Sequence, residues 1–487
     1  MKLKMFDGII DFLTQFDKKL QNSTKKSEDL LNTTNNPKQN IEKEIQSLKN
    51  QSKAKEEEIQ SLKNQLKEKE NQRNQIIEDE KFLLRIEKLK NSSDFRMIYN
   101  LLDEISKKGR QNIISIACQK GLCEKYSKEY PYGNVLHQAC YKGNLGLVKS
   151  LIENGCDKEV KNKDDYTPLI FALREGHLEV VKYLISVGCD KEGKNKDGYT
   201  PLIYASENGH LAVVKYLISI GCDKEGKNKD GYTPLIYASD YGHLAVVKYL
   251  ISVGCDKEAK NYVGWTPLHF ASNEGHLAVV KYLISVGCDK EAKNYVGWTP
   301  LICASGGGHL EVVKYLITVG CDKEAGINCG WTPLIYASEN GHLEVVKYLI
   351  SIGCDKEGKD KDGWTPLHFA SNEGHLAVVK YLISIGCDKD AKSNYGNTPL
   401  FGPAWRGHLE VVKYLISIGC NKDVKNNDGD TPLIDASKWG ELEVVKYLIS
   451  VGCNKKVKNN DGKTPLICAS EENHDDVVQY LKSIGNN

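Results

Sequence analysis

GYTPLIYASENGHLAVVKYLISIGCDKEGK, residues 198–227, is the stretch whose reading decides the fold. Thr200 followed by Pro201 reads as a helix start: a hydroxyl to cap, then proline at the first helical position, where no amide donor is missed. The spacing predicts a short helix from Pro201 to Asn208, stopped by Gly209, which takes the left-handed conformation at little cost. A second helix begins near His210, places Leu211, Val214, Leu217 and Ile218 at helical spacing, and stops at Gly221. The polar run from Cys222 to Gly231 ends with Asp-Gly and predicts a protruding turn or hairpin.

Working outward, the same unit recurs every 33 residues. Thr-Pro-Leu starts at Thr167, Thr200, Thr233, Thr266, Thr299, Thr332, Thr365, Thr398, Thr431 and Thr464, ten copies without insertion or deletion. One period earlier Asn134, Val135 and Leu136 hold the three positions, followed by His137, and mark a degenerate eleventh unit. One unit cannot bury its own apolar face, whereas stacked units can, so the period predicts a one-dimensional solenoid stabilised between neighbours. The run Asp-Gly-Trp-Thr-Pro-Leu-His-Phe-Ala-Ser at Asp362 to Ser371, followed by Gly-His-Leu and Gly-Cys-Asp, resembles the ankyrin repeat. The resemblance extends over about three quarters of the chain, from roughly residue 130 onward. It implies an all-α fold with short hairpin loops, an ankyrin-repeat solenoid whose inner helices and loop tips line a concave groove. It also implies a non-catalytic role in protein–protein recognition. In the last unit Asp475 and Lys482 replace the Leu211 and Ile218 types, which suits a face left in water, so 459–484 reads as a C-terminal cap.

The region before the array differs in character. We read 1–36 as an amphipathic helix and polar linker, 37–91 as a possible coiled coil, 92–130 as a helical N-terminal cap and 131–487 as the repeat array. Glu-Ile-Gln-Ser-Leu-Lys-Asn-Gln occurs at 44–51 and again at 58–65, an offset of two heptads. With Ile45 at a and Leu48 at d, the seam collects Ile59, Leu62, Leu66, Ile76 and Leu83, but also Ser52, Lys55, Lys69, Arg73 and Glu80. Two readings stay open there: a homo-oligomer formed through residues 40–90, or a single solvated helix. Helical spacing resumes at Phe95, Ile98, Leu101, Leu102 and Ile105, then at Ile113, Ile114 and Ile116.

Composition narrows the function classes. The 487 residues carry 66 basic and 65 acidic side chains, a formal net charge of +1, which offers nothing to a polyanion and argues against a nucleic-acid partner. The opening segment around Phe6, Ile9, Ile10, Leu13 and Phe16 is interrupted by Asp7 and Asp11, so it does not read as a signal peptide. No run is long enough to cross a bilayer. The expected location is the cytoplasm, with membrane contact confined to the alternative that the Met5–Leu20 helix touches lipid in a membrane-proximal linker or cytoskeletal regulator.

Sixteen cysteines suggest a disulfide or metal framework until their placement is seen. Ten, from Cys156 through Cys189 and Cys222 to Cys453, repeat every 33 residues. Stacked repeats lie about 10 Å apart, too far for a disulfide ladder, and one column does not supply four converging zinc ligands. Cys118, Cys123, Cys140, Cys303, Cys329 and Cys468 show no ligand spacing, so no metal site and no cofactor are expected. His177, His210, His243, His276, His309, His342, His375 and His408 form a second column that Glu441 interrupts; the family resemblance gives them a structural role at the second helix. No phosphate loop, nucleophile elbow, His-Glu-x-x-His or Cys-x-x-Cys is present, and no enzyme is expected.

Informative positions are those where the repeats disagree. The residue before Thr runs Tyr166, Tyr199, Tyr232, Trp265, Trp298, Trp331 and Trp364, then Asn397, Asp430 and Lys463. By resemblance it lies at the base of the finger facing the groove, and aromatic residues are enriched at binding hot spots. The stripe is either a binding site for a protein partner or a duplicated stacking residue. Tyr262 with Val263, Tyr295 with Val296, and Ile327 and Cys329 diverge at the loop tips. Tyr241, Trp405 and Trp439 stand on first helices where other repeats carry polar residues or Gly, and complete the candidate partner-binding set.

Overall fold

A computed structural model describes residues 38–130 and 132–484, with helical positions at 14, 15, 18, 19, 21–23, 25 and 26 before them. The expected amphipathic helix and polar linker, 1–36, lies largely outside the described residues; the positions described within it are helical. No strand occurs among the described residues, and no described helix is long and apolar enough to cross a membrane. The chain divides into two compact units, 1–127 with 150–156, and 128–149 with 157–487.

In the first unit, helix α1 (Lys38–Leu89) runs for 52 residues. Helices α2 (Phe95–Lys107) and α3 (Gln111–Gln119) follow, α2 capped by the Asp94 carboxylate accepting from the Met97 amide. Ile98, Leu101, Leu102 and Ile105 of α2 and Ile113 and Ile114 of α3 are buried, as their spacing predicts. The end of α1 buries Phe82, Ile86 and Leu89, none of which belongs to the heptad seam. Polar contacts fix that end: Arg85 with Glu104 at 2.7 Å, Lys120 with Glu87 at 2.7 Å, and Lys108 with Glu78. Leu62 and Ile76 of the seam are exposed, at 47% and 59%. Ile45 of the seam is already buried, so we propose that self-association through α1 uses the stretch from Ile59 to Ile76. Deleting residues 1–90 is expected to turn a dimer into a monomer by light scattering; a monomeric full chain rules the coiled coil out.

The second unit is built from the repeat. The first helix of the quoted stretch spans Pro201–Glu207, the second Leu211–Ser219. Thr200 Oγ1 accepts from the Ile203 amide at 3.2 Å, and Gly209 and Gly221 sit at φ +74° and +82°. Leu202, Ile203, Val213, Val214 and Leu217 are buried, and first helices pack on first helices along the stack. Toward the end of the array the cover is missing: Ile467 is 42% exposed where its counterpart Ile203 is fully buried, and Asp475 and Lys482 are exposed.

Three side-chain columns tie neighbours together. From His177 to His342 the histidine that opens each second helix reaches the carbonyl that ends the preceding first helix, as in His210 to Arg174 at 2.6 Å, His243 to Glu207 at 2.7 Å and His276 to Asp240 at 2.8 Å. Lysine after Cys-Asp donates to the end of the next repeat's second helix, Lys323 to the Ile352 and Gly353 carbonyls at 2.6 and 2.9 Å, where a cation also meets the negative helix end. The periodic cysteines from Cys189 to Cys453 are free and buried, and each thiol lies 3.5–3.9 Å from the carbonyl 31 residues earlier. Burial pushes their thiols up to about 12, so they stay protonated. Cys118 and Cys123 depart from the sequence reading: they form a disulfide, with Cα atoms 5.0 Å apart. Gly121, at φ +76°, turns the chain between them, and no spacing rule exposes a pair closed by a helix end.

A second set of histidines occurs in the His-Phe variant of the unit. His368 Nδ1 meets Thr365 Oγ1 at 2.8 Å and its Nε2 meets the Asn397 carbonyl of the next repeat at 3.1 Å. Burial holds His368, like His137, down at about 4. Between about pH 6.5 and 4 the unfolded chain binds a proton that folded His368 refuses, so stability falls as pH drops through that window. His368→Asn is expected to make the pH slope of stability shallower by about 1 kcal/mol per pH unit between pH 7 and 5, read from denaturant titrations at those two values. An unchanged slope contradicts the assignment.

Candidate partner-binding surface

Every finger but the one that begins at Ile327 is shaped by one side chain whose role the period alone does not reveal. Asn195 Oδ1 accepts from the amides of Asp197 and Tyr199, both at 2.9 Å, closing the turn. Asn228, Asn261 and Asn294 repeat this for Tyr232, Trp265 and Trp298 at 2.8 Å, and Asp360 does so for Trp364. Successive fingers bond through their tips, as in Tyr262 amide to Asp230 carbonyl at 3.1 Å. The backbone under every aromatic of the stripe but Trp331, which follows Ile327, is thus pinned by a side chain four residues earlier.

Rings then stack without interruption from Tyr166 to Trp405. Tyr166 packs on Phe171 and Tyr204, Tyr199 on Tyr204 and Tyr237, and Tyr232 on Tyr237 and Phe270. Trp265 packs on Phe270 and, where Cys303 leaves no ring on the next helix, directly on Trp298 at 5.8 Å. Trp298 and Trp331 hold Tyr336 between them; Trp331 and Trp364 hold Phe369; Trp364 meets Trp405 at 6.0 Å. Tyr166, Tyr199, Tyr232, Trp265, Trp298, Trp331, Trp364 and Trp405 are all half-buried, each with one face spent on a neighbour. They form a rigid ridge, with little side-chain entropy left to lose on contact.

The remaining candidates stand out in solvent. Tyr241 is 51% exposed, Tyr262 63%, Tyr295 68% and Trp439 60%, with Val263 and Val296 beside the finger tyrosines. Tyr395 is 56% exposed one residue further along its finger, at the place of Val263 and Val296, while Asn394 holds the place of Tyr262 and Tyr295; the shift by one residue hid it from the comparison of repeats.

Carboxylates border the ridge. Glu207 lies within electrostatic reach of Tyr199 and Tyr204, Asp240 of Tyr232, and Glu339 of Tyr336. Burial raises Glu207, then Glu339 with help from Glu373, and lifts Asp240 to about 6 with help from Glu274. From Pro201 to Glu373 six consecutive first helices contain no Lys or Arg. Cations flank this stretch at both ends: the Arg174 guanidinium lies over the Tyr130 and Tyr166 rings, at 6.0 and 5.6 Å, and Arg406 pairs with Glu373 at 3.0 Å. Lys196 and Lys229 at the finger tips give way to Tyr262 and Tyr295 in the middle.

Comparison with known proteins agrees with this architecture. A family model of ankyrin repeats in three copies matches residues 136–228, 220–294, 286–360, 352–426 and 404–487 in succession. The chain belongs to the ankyrin repeat family, whose repeats are generally protein–protein interaction modules. No curated protein matches the chain.

Proposed function

We propose that the repeat array is a non-catalytic scaffold that grips an extended, basic segment of a partner protein along the aromatic ridge. The observation that carries this reading is that Glu207 lies beside Tyr199 and Asp240 beside Tyr232, with Glu274 and Glu339 at the matching ends of first helices that contain no Lys or Arg. Arginine side chains fit such a surface twice over, stacking on ring faces and pairing with partly desolvated carboxylates. Arg174 over Tyr130 and Tyr166 makes the same contact within the chain. Exposed Tyr262, Tyr295 and Tyr395 supply apolar contact at the finger tips, and Tyr241 and Trp439 at the ends of first helices. Fourteen unpaired cysteines support a reducing compartment, the cytoplasm.

Fluorescence anisotropy with a labelled arginine-rich peptide and an equally long glutamate-rich one tests this. The basic peptide is expected to bind, and to weaken about 10-fold as salt rises from low to physiological strength. Equal binding of both peptides, or no binding of either, rejects the reading.

A further inference from the structure

The first member of the periodic cysteine column is unlike the rest. Cys189 and its successors direct their thiols at a backbone carbonyl of the preceding repeat, whereas Cys156 Sγ lies 3.8 Å from Cys118 Sγ. It is only partly buried, and it belongs to the same compact unit as Cys118 and Cys123. All three sulfurs lie within 4.8 Å of one another. Two glycine turns bring them together. Gly121 at φ +76° follows the helix carrying Cys118 and precedes Cys123, and Gly155 at φ +88° delivers Cys156 just after helix Leu145–Glu153. Side chains tie the segment that precedes Cys156 to the two helices before it: Gln111, at the start of the Cys118 helix, donates to Ser150 Oγ at 3.0 Å, and the Ser106 and Ser150 hydroxyls meet at 3.0 Å.

We infer that, once the Cys118–Cys123 disulfide is reduced, Cys118, Cys123 and Cys156 form a three-thiolate site for zinc. Their arrangement is a triangle and not a line. Attack of Cys156 on the disulfide at Cys118 needs the three sulfurs nearly collinear, which would set Cys156 and Cys123 about 5.8 Å apart, the 3.8 Å gap plus a bond of about 2.0 Å. They are closer than that, so the geometry favours a shared ligand over exchange within the trio. Zinc–sulfur bonds of about 2.3 Å in a tetrahedron place sulfurs about 3.8 Å apart, the Cys118–Cys156 separation. Both helices present their C-terminal ends, whose partial negative charge favours a cation. Glu124, within electrostatic reach of Cys156, or a water completes four-coordination.

The chemistry balances with a dithiol as reductant. The dithiol gives two electrons and two protons to the Cys118–Cys123 bond and closes to its own disulfide; two thiols result. Zinc then displaces three thiol protons to solvent as three zinc–sulfur bonds form. Exchange with the oxidised, disulfide form of that dithiol takes two electrons from Cys118 and Cys123, re-forms their bond while the reagent takes up two protons from solvent as two thiols, removes two of the three ligands and releases the metal.

The test uses the full chain, kept anaerobic, with Cys329→Ser to remove the exposed thiol of the array. After reduction by dithiothreitol and its removal, titration with Zn(II) or Co(II) is expected to show one equivalent bound, with thiolate-to-cobalt charge-transfer absorption. Cys156→Ser and Cys123→Ser are expected to weaken binding at least about 100-fold, while Cys189→Ser leaves it unchanged. Reoxidised protein is expected to bind none. The inference is overturned if the reduced chain takes up no stoichiometric metal. It is equally overturned if Cys156→Ser, shown folded by circular dichroism, binds as the parent does.

Discussion

Replacing Gly209 with alanine is expected to destabilise the array by about 3 kcal/mol, through a backbone cost of about 1–2 and a lost hydrogen bond of about 1. Gly209 sits at φ +74°, and a β-carbon there would meet His243 Nδ1 at 2.5 Å and Cε1 at 2.8 Å. His243 cannot retreat without giving up its 2.7 Å contact with the Glu207 carbonyl, which joins the two repeats. Stability in a solenoid resides largely in such interfaces, so the loss should also divide unfolding into two phases, one for each side of the weakened joint. Urea denaturation followed by circular dichroism checks both, and a midpoint shift equivalent to less than about 1 kcal/mol contradicts the argument.

The second large effect has the opposite sign. Asp435 occupies the first-helix position that carries Tyr204, Tyr237, Phe270, Tyr336 or Phe369 elsewhere, and it is 6% exposed. Burial, with the Asp430 carboxylate beside it, lifts its carboxyl to about 7. Below about pH 4 the group is protonated whether the chain is folded or not, and its ionisation costs nothing. Between pH 4 and 7 the folded protein holds a proton that the unfolded chain releases, so this contribution to stability declines as pH rises. Above pH 7 the full cost of a buried charge is present, about 3–4 kcal/mol from a span of pH 4 to 7. Asp435→Asn is therefore expected to raise stability by about that amount at pH 8 and to change it little near pH 4. Equal effects at both pH values would show that packing and not ionisation governs the site.

Much of the fold was legible because each boundary is written by a side chain with one local job. Thr and Pro open the first helix and Gly closes it, so Pro201–Glu207 was anticipated to within a residue. Longer-range links were not legible. Asn195 looks like any polar loop residue until its oxygen is seen under Tyr199, and Lys323 until its ammonium reaches the next repeat. Heptad counting placed Leu83 in a seam, whereas the neighbouring helices bury Phe82 and Ile86 instead. Cys118 and Cys123 pair because a glycine turn folds the helix end back, a closure that sequence distance does not announce.

For the candidate surface, the aromatic stripe was visible as a departure between repeats, but its two components were merged. Trp298 and Trp331 are stacking members whose removal costs stability as well as contact, whereas Tyr262 and Tyr295 project freely. Alanine at the tryptophans alone therefore cannot separate recognition from folding. The acidic border escaped notice because it is split between two adjacent positions, Glu207, Asp240 and Glu339 at one and Glu274 and Glu373 at the next.

Charge exchange at that border tests the central claim most directly. In a chain carrying Glu207→Lys, Asp240→Lys and Glu339→Lys, affinity for the arginine-rich and glutamate-rich peptides is measured side by side with the parent. The predicted result is a reversal, the parent preferring the basic peptide and the variant the acidic one. A folded variant that keeps the parent's preference would contradict recognition through the aromatic and carboxylate ridge.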